Sequence, residues 1–162
     1  MEFYKNLEPA MQHLTSKGAF LTVNDGKITN TMTISWGFAG VMWGIPCFMV
    51  MVRPQRYTRE IIENADSFTV SIPFGTLSEA LNICGTKSGR DINKHNVVRF
   101  VPSKTVSSPI VSGCDAYYEC KIIYRDKFEG ALIPDHFKKQ IYTDDFHLFY
   151  FGEIVDCYGM QG

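Results

Sequence analysis

The sequence predicts a mainly β protein, a small β-barrel carrying a few short helices. Three observations lead there: segments rich in β-branched and aromatic residues recur along the chain, turns rich in Gly and Asp separate them, and every helical periodicity is short. A doubly wound α/β domain is the losing alternative. It needs longer helices alternating regularly with strands, and no G-x-G-x-x-G follows a strand here.

Each element has its own signal. Glu8-Pro9 places a proline where a first helical turn tolerates it, and Ala10, Met11 and Leu14 recur at helical spacing until Gly18 offers a stop. Ala19 to Val23 reads as a strand, and Asn24-Asp25-Gly26 as the turn of a hairpin. The return strand runs from Thr31 to Phe38, where Thr31, Thr33 and Ser35 alternate with Met32, Ile34 and Trp36. Pro46 to Val52 is apolar on both parities, the pattern of a strand buried on both faces. After Pro54, Thr58 is the predicted N-cap of a helix reaching Ala65, with Ile61, Ile62 and Ala65 turned inward. Phe68 to Ile72 resumes as a strand, and Leu77 to Cys84 forms another short helix ended by Gly85. Two long strands follow, Tyr117 to Tyr124 and His147 to Tyr158, with a further strand expected around Ile141 and Tyr142.

A chain of 162 residues, 45% hydrophobic and 20% charged, is expected to fold as one domain over residues 1–162 with a single core. Acidic and basic residues nearly cancel, 17 against 16, which argues against a nucleic-acid partner. The first residues lack the pattern of a signal peptide and no stretch supplies a membrane span, so a cytoplasmic location is expected. Cys47, Cys84, Cys114, Cys120 and Cys157 are scattered without C-x-x-C or zinc spacing, so they read as structural thiols with no metal.

Three segments carry candidate chemistry. In Arg53-Pro-Gln-Arg56-Tyr57-Thr58-Arg59 a buried strand delivers guanidinium groups to the expected start of a helix, a combination suited to a phosphate monoester; a solvated basic turn is the alternative. Cys84-Gly85-Thr86-Lys87-Ser88-Gly89-Arg90-Asp91 offers close backbone approach, hydroxyl donors and charge without the spacing of a P-loop, and an ordinary mobile loop would look the same. Asn30-Thr31-Met32-Thr33-Ile34-Ser35-Trp36 sets alternating hydroxyls on a strand where they suit the edge of a flat heteroaromatic ligand, with Trp36 or Met32 against its face.

Taken together, N-T-M-T-I-S-W-G, W-G-I-P with R-P-Q-R-Y-T, F-T-V-S-I-P, C-G-T-K-S-G-R-D and H-L-F-Y-F-G-E-I-V resemble, in family order, the flavin reductase-like family of FMN-binding split β-barrels, especially its flavoredoxin-like branch. The resemblance implies a noncovalent FMN with Asn30, Thr31, Met32, Thr33, Ser35 and Trp36 around its ring and ribityl chain. It implies Arg53, Arg56, Tyr57, Thr58 and Lys87 at the phosphate end, with Cys84, Gly85, Thr86 and Ser88 in the loop beside it. His147 matches the family's histidine and is the candidate catalytic contact near the open flavin edge; a strand-end histidine facing water is its alternative. Val97 to Ser112 looks short and variable against longer relatives and Ile133 to Thr143 matches nothing specific; both are expected to shape the electron donor's access.

By the same resemblance the activity is that of a flavin reductase fed by NAD(P)H. The alternatives are a flavoredoxin-type carrier exchanging electrons with a redox protein partner, or a flavin-binding module without turnover. A homodimer with flavin at the subunit boundary is also expected. Phe146, Phe149, Tyr150 and Phe151 exceed what one barrel interior accepts, unless they pack under the segment from Phe128 to Phe137 and leave a monomer.

Overall fold

The computed structural model of the chain describes residues 2–159. Helix α1 (Leu7–Ser16) buries Ala10, His13 and Leu14 and stops at Gly18, whose φ is +93°. Only glycine fits there, because a Cβ would lie 2.7 Å from Thr33 Cγ2 and 3.0 Å from the Ile34 carbonyl. Strands β1 (Ala19–Asn24) and β2 (Thr29–Ile34) form the expected hairpin. The Asp25 carboxylate closes its turn by accepting from the amides of Lys27 at 2.9 Å and Ile28 at 2.8 Å.

The strand expected to continue to Phe38 breaks at Ser35-Trp36. A separate strand β3 (Gly37–Met42) then pairs with β4 (Ile45–Val52). Gly37 permits the shift, since a Cβ on it would sit 2.5 Å from the Met49 carbonyl. Trp43 and Gly44 make the two-residue turn of this second hairpin, both at positive φ.

Helix α2 (Tyr57–Ile62) begins one residue before the expected cap, so Thr58 lies inside it and Arg56 holds the cap position without a side-chain cap bond. Strand β5 (Ser67–Ile72) is buried throughout. Helix α3 (Ser78–Thr86) runs through Gly85 instead of ending before it. Short strands β6 (Phe100–Val101) and β7 (Ile110–Val111), missed in the sequence, pair with each other. Strand β8 (Ala116–Lys127) and strand β9 (Leu148–Gly159) flank helix α4 (Asp135–Ile141). Ile141 therefore ends a helix where a strand was expected: Pro134 starts the turn and Asp135 supplies first-turn negative charge.

The main sheet is antiparallel in the order β2-β1-β5-β8-β9-β4-β3, and it curls until β2 approaches β4. Leu21, Phe48, Val50, Phe68, Val70, Tyr118, Tyr150 and Ile154 fill its interior. A second cluster, with Phe20, Leu81, Cys84, Val98 and Val111, lies under α3. The aromatic surplus near the chain end divides. Tyr150 is buried outright, Phe128 stacks on Phe149 at 4.7 Å, and Gly130 sits against the Phe146 ring. Phe38 and Trp43 are among the rings left exposed, with Val41 beside them on β3 at one end of the sheet.

One buried carboxylate ties the chain between β6 and β7 to the barrel. Glu119 on β8 is fully enclosed and accepts four hydrogen bonds: from the amides of Lys104 (2.8 Å) and Thr105 (2.7 Å) and the hydroxyls of Thr105 (2.5 Å) and Tyr158 (2.6 Å). Burial pushes its pKa up, but the hydrogen bonds outweigh burial and hold it below the ordinary value. A carboxyl depressed on folding stabilises above its unfolded pKa, and that contribution is lost as pH falls through the folded value. Glu119→Gln is expected to cost about 2–3 kcal/mol at pH 7, roughly a 5–10 °C lower melting temperature, because an amide NH2 must face a donor. The gap should narrow as pH falls from the ordinary carboxyl range through the depressed folded value. Equal melting temperatures at pH 7 would contradict this account.

Candidate functional site

A cleft of about 510 Å³ opens between β2, the turn after β4, the start of α2 and the loop after α3. Asn30, Met32, Arg53, Arg56, Tyr57, Thr58, Thr86, Lys87 and Ser88 all line it, so the three sequence segments converge. A neighbouring cavity adds Thr33, Ser35 and Gly85, and a smaller recess of about 150 Å³ adds Trp36 and His147. Arg56 reaches all three spaces.

The cations of this cleft differ in what already holds them. Arg53 forms an ion pair with Asp145, donates to the Ile141 carbonyl at 3.0 Å and lies 5.3 Å from the Tyr142 ring centre. It ties the segment before β9 to the end of β4 while lining the cleft in which it was expected to meet phosphate. Arg90 is similarly engaged, by Glu60, by the Gln55 carbonyl at 3.2 Å and by the Tyr57 ring. Among the described residues the Arg56 guanidinium makes one hydrogen bond, to the Gly85 carbonyl at 3.0 Å. Among the described residues no carboxylate pairs with Arg56 or with Lys87.

A further cation, Lys94, escaped the sequence reading. It opens a single 3₁₀ turn, Lys94–Asn96, with 4% of its surface exposed, and donates to the carbonyls of Thr31 (2.8 Å) and Cys84 (3.1 Å). Burial lowers its pKa; Cys84 opposes that shift and Arg56 adds to it. Asn-Lys-His carries no spacing that marks a site, and only the fold aims this lysine inward.

Two of the expected site residues have side chains engaged or buried within the fold. The Thr31 hydroxyl donates to the Leu21 carbonyl at 3.1 Å and accepts from Thr22 at 3.0 Å, so its side chain belongs to the β1–β2 seam. Cys84 is fully buried under α3, and burial pushes its thiol pKa up. Both residues lie outside the cleft lining and act through their carbonyls on Lys94. Thr58 is also buried, and its hydroxyl accepts from the Asn30 amide at 2.9 Å, which fixes the orientation of Asn30. Thr33 donates to the Leu81 carbonyl at 2.5 Å, and Gly85 lets α3 press against it, since a Cβ there would lie 3.3 Å from Thr33 Cβ.

In the small recess Trp36 is 46% exposed and its ring centre lies 5.4 Å from that of His147. His147 does not face water: it is buried, with Nδ1 2.9 Å from the Tyr142 hydroxyl. Burial first and Arg53 second push its pKa down to about 4, so the ring is neutral at pH 7. One end of the site is thus cationic and polar, and the other is bounded by an indole, a thioether (Met32) and a neutral imidazole. Such a surface can hold an anionic group at one end and a flat, weakly polar ring at the other. Among the described residues no cluster suits a metal ion, and no helix is long and apolar enough to cross a membrane.

Comparison with known proteins agrees with this geometry. A flavoredoxin of Methanosarcina acetivorans is similar in structure, with a TM-score of 0.70 at 23% identity over 90% of this chain and 69% of that one. An FMN-binding protein of Thermus thermophilus aligns with a TM-score of 0.68 at 23% identity, covering 88% and 69% of the two chains. An NADH:FAD oxidoreductase of Streptomyces globisporus aligns with a TM-score of 0.67 at 19% identity, covering 89% and 75%. In sequence, an uncharacterised protein of Archaeoglobus fulgidus is 26% identical over 90% of this chain and 73% of its own length. The fold is that of the flavin reductase-like FMN-binding split barrels. The model of the flavin reductase like domain matches residues 11–161, nearly the whole chain, and the chain belongs to that family.

Proposed function

We propose that the chain binds FMN noncovalently in this cleft and works as a flavin reductase-type oxidoreductase, taking electrons from a reduced nicotinamide and passing them to an acceptor. The observation that carries the reading is the pair Arg56 and Lys87, free of carboxylate partners at one end of a cleft whose other end is bounded by Trp36, Met32 and neutral His147. A phosphate monoester fits the first end, and an isoalloxazine fits the second. In this reading Arg56 and Lys87 hold the phosphate, with Thr86, Ser88 and Tyr57 beside them. Asn30, Thr33 and Ser35 offer polar groups along the ribityl chain and ring edge. Lys94 adds positive charge from beneath, and Arg53 keeps the segment before β9 in place. Bound flavin supplies two-electron exchange with the donor; the protein orients it and limits access of water. His147, neutral at pH 7, offers a hydrogen-bonding nitrogen without adding a charge.

Electron carriage with a protein partner is the second reading, favoured by the likeness to flavoredoxin. Both readings require the same phosphate grip. Replacing Arg56 by Ala is expected to weaken FMN binding about ten- to a hundredfold, the worth of a charge-assisted bond, while riboflavin binding changes little. Fluorescence titration with both flavins checks this, and equal losses would make Arg56 structural.

The reading includes a homodimer. Phe38, Val41 and Trp43 are 51%, 68% and 72% exposed on and beside β3, whose outer edge has no partner strand among the described residues. An apolar edge of that kind favours a covering surface, and a second copy is the covering this proposal names. Sedimentation at micromolar concentration is expected to give a dimer, and Val41→Glu to shift it towards monomer. A wild-type monomer that retains stoichiometric FMN would overturn the dimer proposal.

A further inference from the structure

The segment between β8 and β9 matched no motif, yet it reaches into the recess beside Trp36. Tyr142 caps the end of α4, and its hydroxyl lies 2.9 Å from Nδ1 of His147, with the two rings edge to face at 5.5 Å. The tyrosine is held from two sides. The Arg53 guanidinium lies over its ring, bonded also to the neighbouring Ile141 carbonyl, and the Phe146 ring packs at 4.9 Å. Asp145 completes the frame by accepting from the Thr143 amide at 3.0 Å while paired to Arg53.

We propose that Tyr142 is a positioning residue: its hydroxyl donates to His147 Nδ1, which places the ring hydrogen on Nε2 and presents an N–H donor to the recess. The direction of the bond follows from counting partners. Among the described residues the one acceptor within reach of the Tyr142 hydroxyl hydrogen is Nδ1 of His147, while the His147 backbone N–H faces the hydroxyl oxygen. If Nδ1 carried the hydrogen, the phenol hydrogen would have no acceptor in the protein, a costly arrangement for a half-buried group. Burial raises the pKa of the phenol and lowers that of the imidazole, so one proton on each neutral group is the state to assign at pH 7. The charged groups around the ring are Arg53, Arg56 and Asp145. None of them bonds to it: Arg53 is taken by Asp145 and the Ile141 carbonyl, and Arg56 by the Gly85 carbonyl. The tautomer is left to Tyr142.

An Nε2–H donor suits a carbonyl oxygen or an unprotonated ring nitrogen on the edge of a flat heteroaromatic ligand. Identifying that ligand as flavin rests on the function proposed above, but the tautomer does not. The test separates the two. The full chain is labelled with ¹⁵N-histidine and read, free of flavin, by long-range ¹H–¹⁵N correlation at pH 7, with the His147 signals assigned by their loss in His147→Gln. The expected result is an Nε2-protonated ring in the wild type and a mixture of both tautomers in Tyr142→Phe, which keeps the aromatic packing. Tyr142→Phe should also weaken FMN binding about two- to tenfold, the worth of one hydrogen bond from Nε2–H to the ring edge. An Nδ1-protonated wild type would overturn the proposal, and so would a tautomer indifferent to Tyr142→Phe. If the tautomer behaves as stated and FMN does not bind, the positioning role stands and the flavin reading falls.

Discussion

Lys94 carries an ammonium into a space where almost none of the residue meets solvent, and it donates there to one carbonyl on β2 and another on α3. Removing such a charge from water costs several kcal/mol, and hydrogen bonds to a charged group return about 1.5–3 kcal/mol each. The arrangement is tolerable only when strand and helix lie close enough for both carbonyls to be reached. That closeness has further consequences. Thr33 meets the Leu81 carbonyl, Gly85 lies against Thr33, and the Gly85 carbonyl is presented to Arg56. The cationic end of the cleft is therefore assembled around a buried charge that no described carboxylate neutralises.

The other cations divide, among the described residues, into those paired with a carboxylate and those that are not. Arg53 and Arg90 each spend their guanidinium on a carboxylate, a carbonyl and an aromatic face, which fixes the segment before β9 and the loop after α3. Arg56 and Lys87 retain their charge for something else. Asp145, paired with Arg53 and bonded to the Thr143 amide, has its pKa lowered to about 2, so the fastener on that side stays ionised through the physiological range. Below it, the imidazole of His147 stays neutral for the opposite reason, burial beside a positive charge.

Much of this was legible in the chain. Asn24-Asp25-Gly26 named a hairpin because Asp25 can cap the turn with its own side chain, and Pro46 to Val52 named a core strand because both parities are apolar. The three segments that the motifs singled out line one cleft. What the residue pattern could not show was which partner each polar group finds. Alternation along β2 shows which hydroxyls share a face, but not that Thr31 would be used by β1 while Thr33 is used by α3. The Asp145 partner of Arg53 was not visible because the two are distant in sequence. Lys94 had no motif at all, and Ile141 and Tyr142 looked like a strand because an aromatic and a β-branched residue mask a helix started by Pro134. Strand β3 was hidden by its exposure, since its bare rings do not alternate with polar residues.

The central claim is that this cleft holds a flavin which a nicotinamide can reduce. The absorption spectrum of the purified protein reconstituted with FMN, recorded before and after anaerobic addition of NADH, tests it most directly. The account predicts a flavin band that stays with the protein through gel filtration and bleaches on addition of the nicotinamide. A protein that passes through gel filtration colourless after incubation with excess FMN would contradict it.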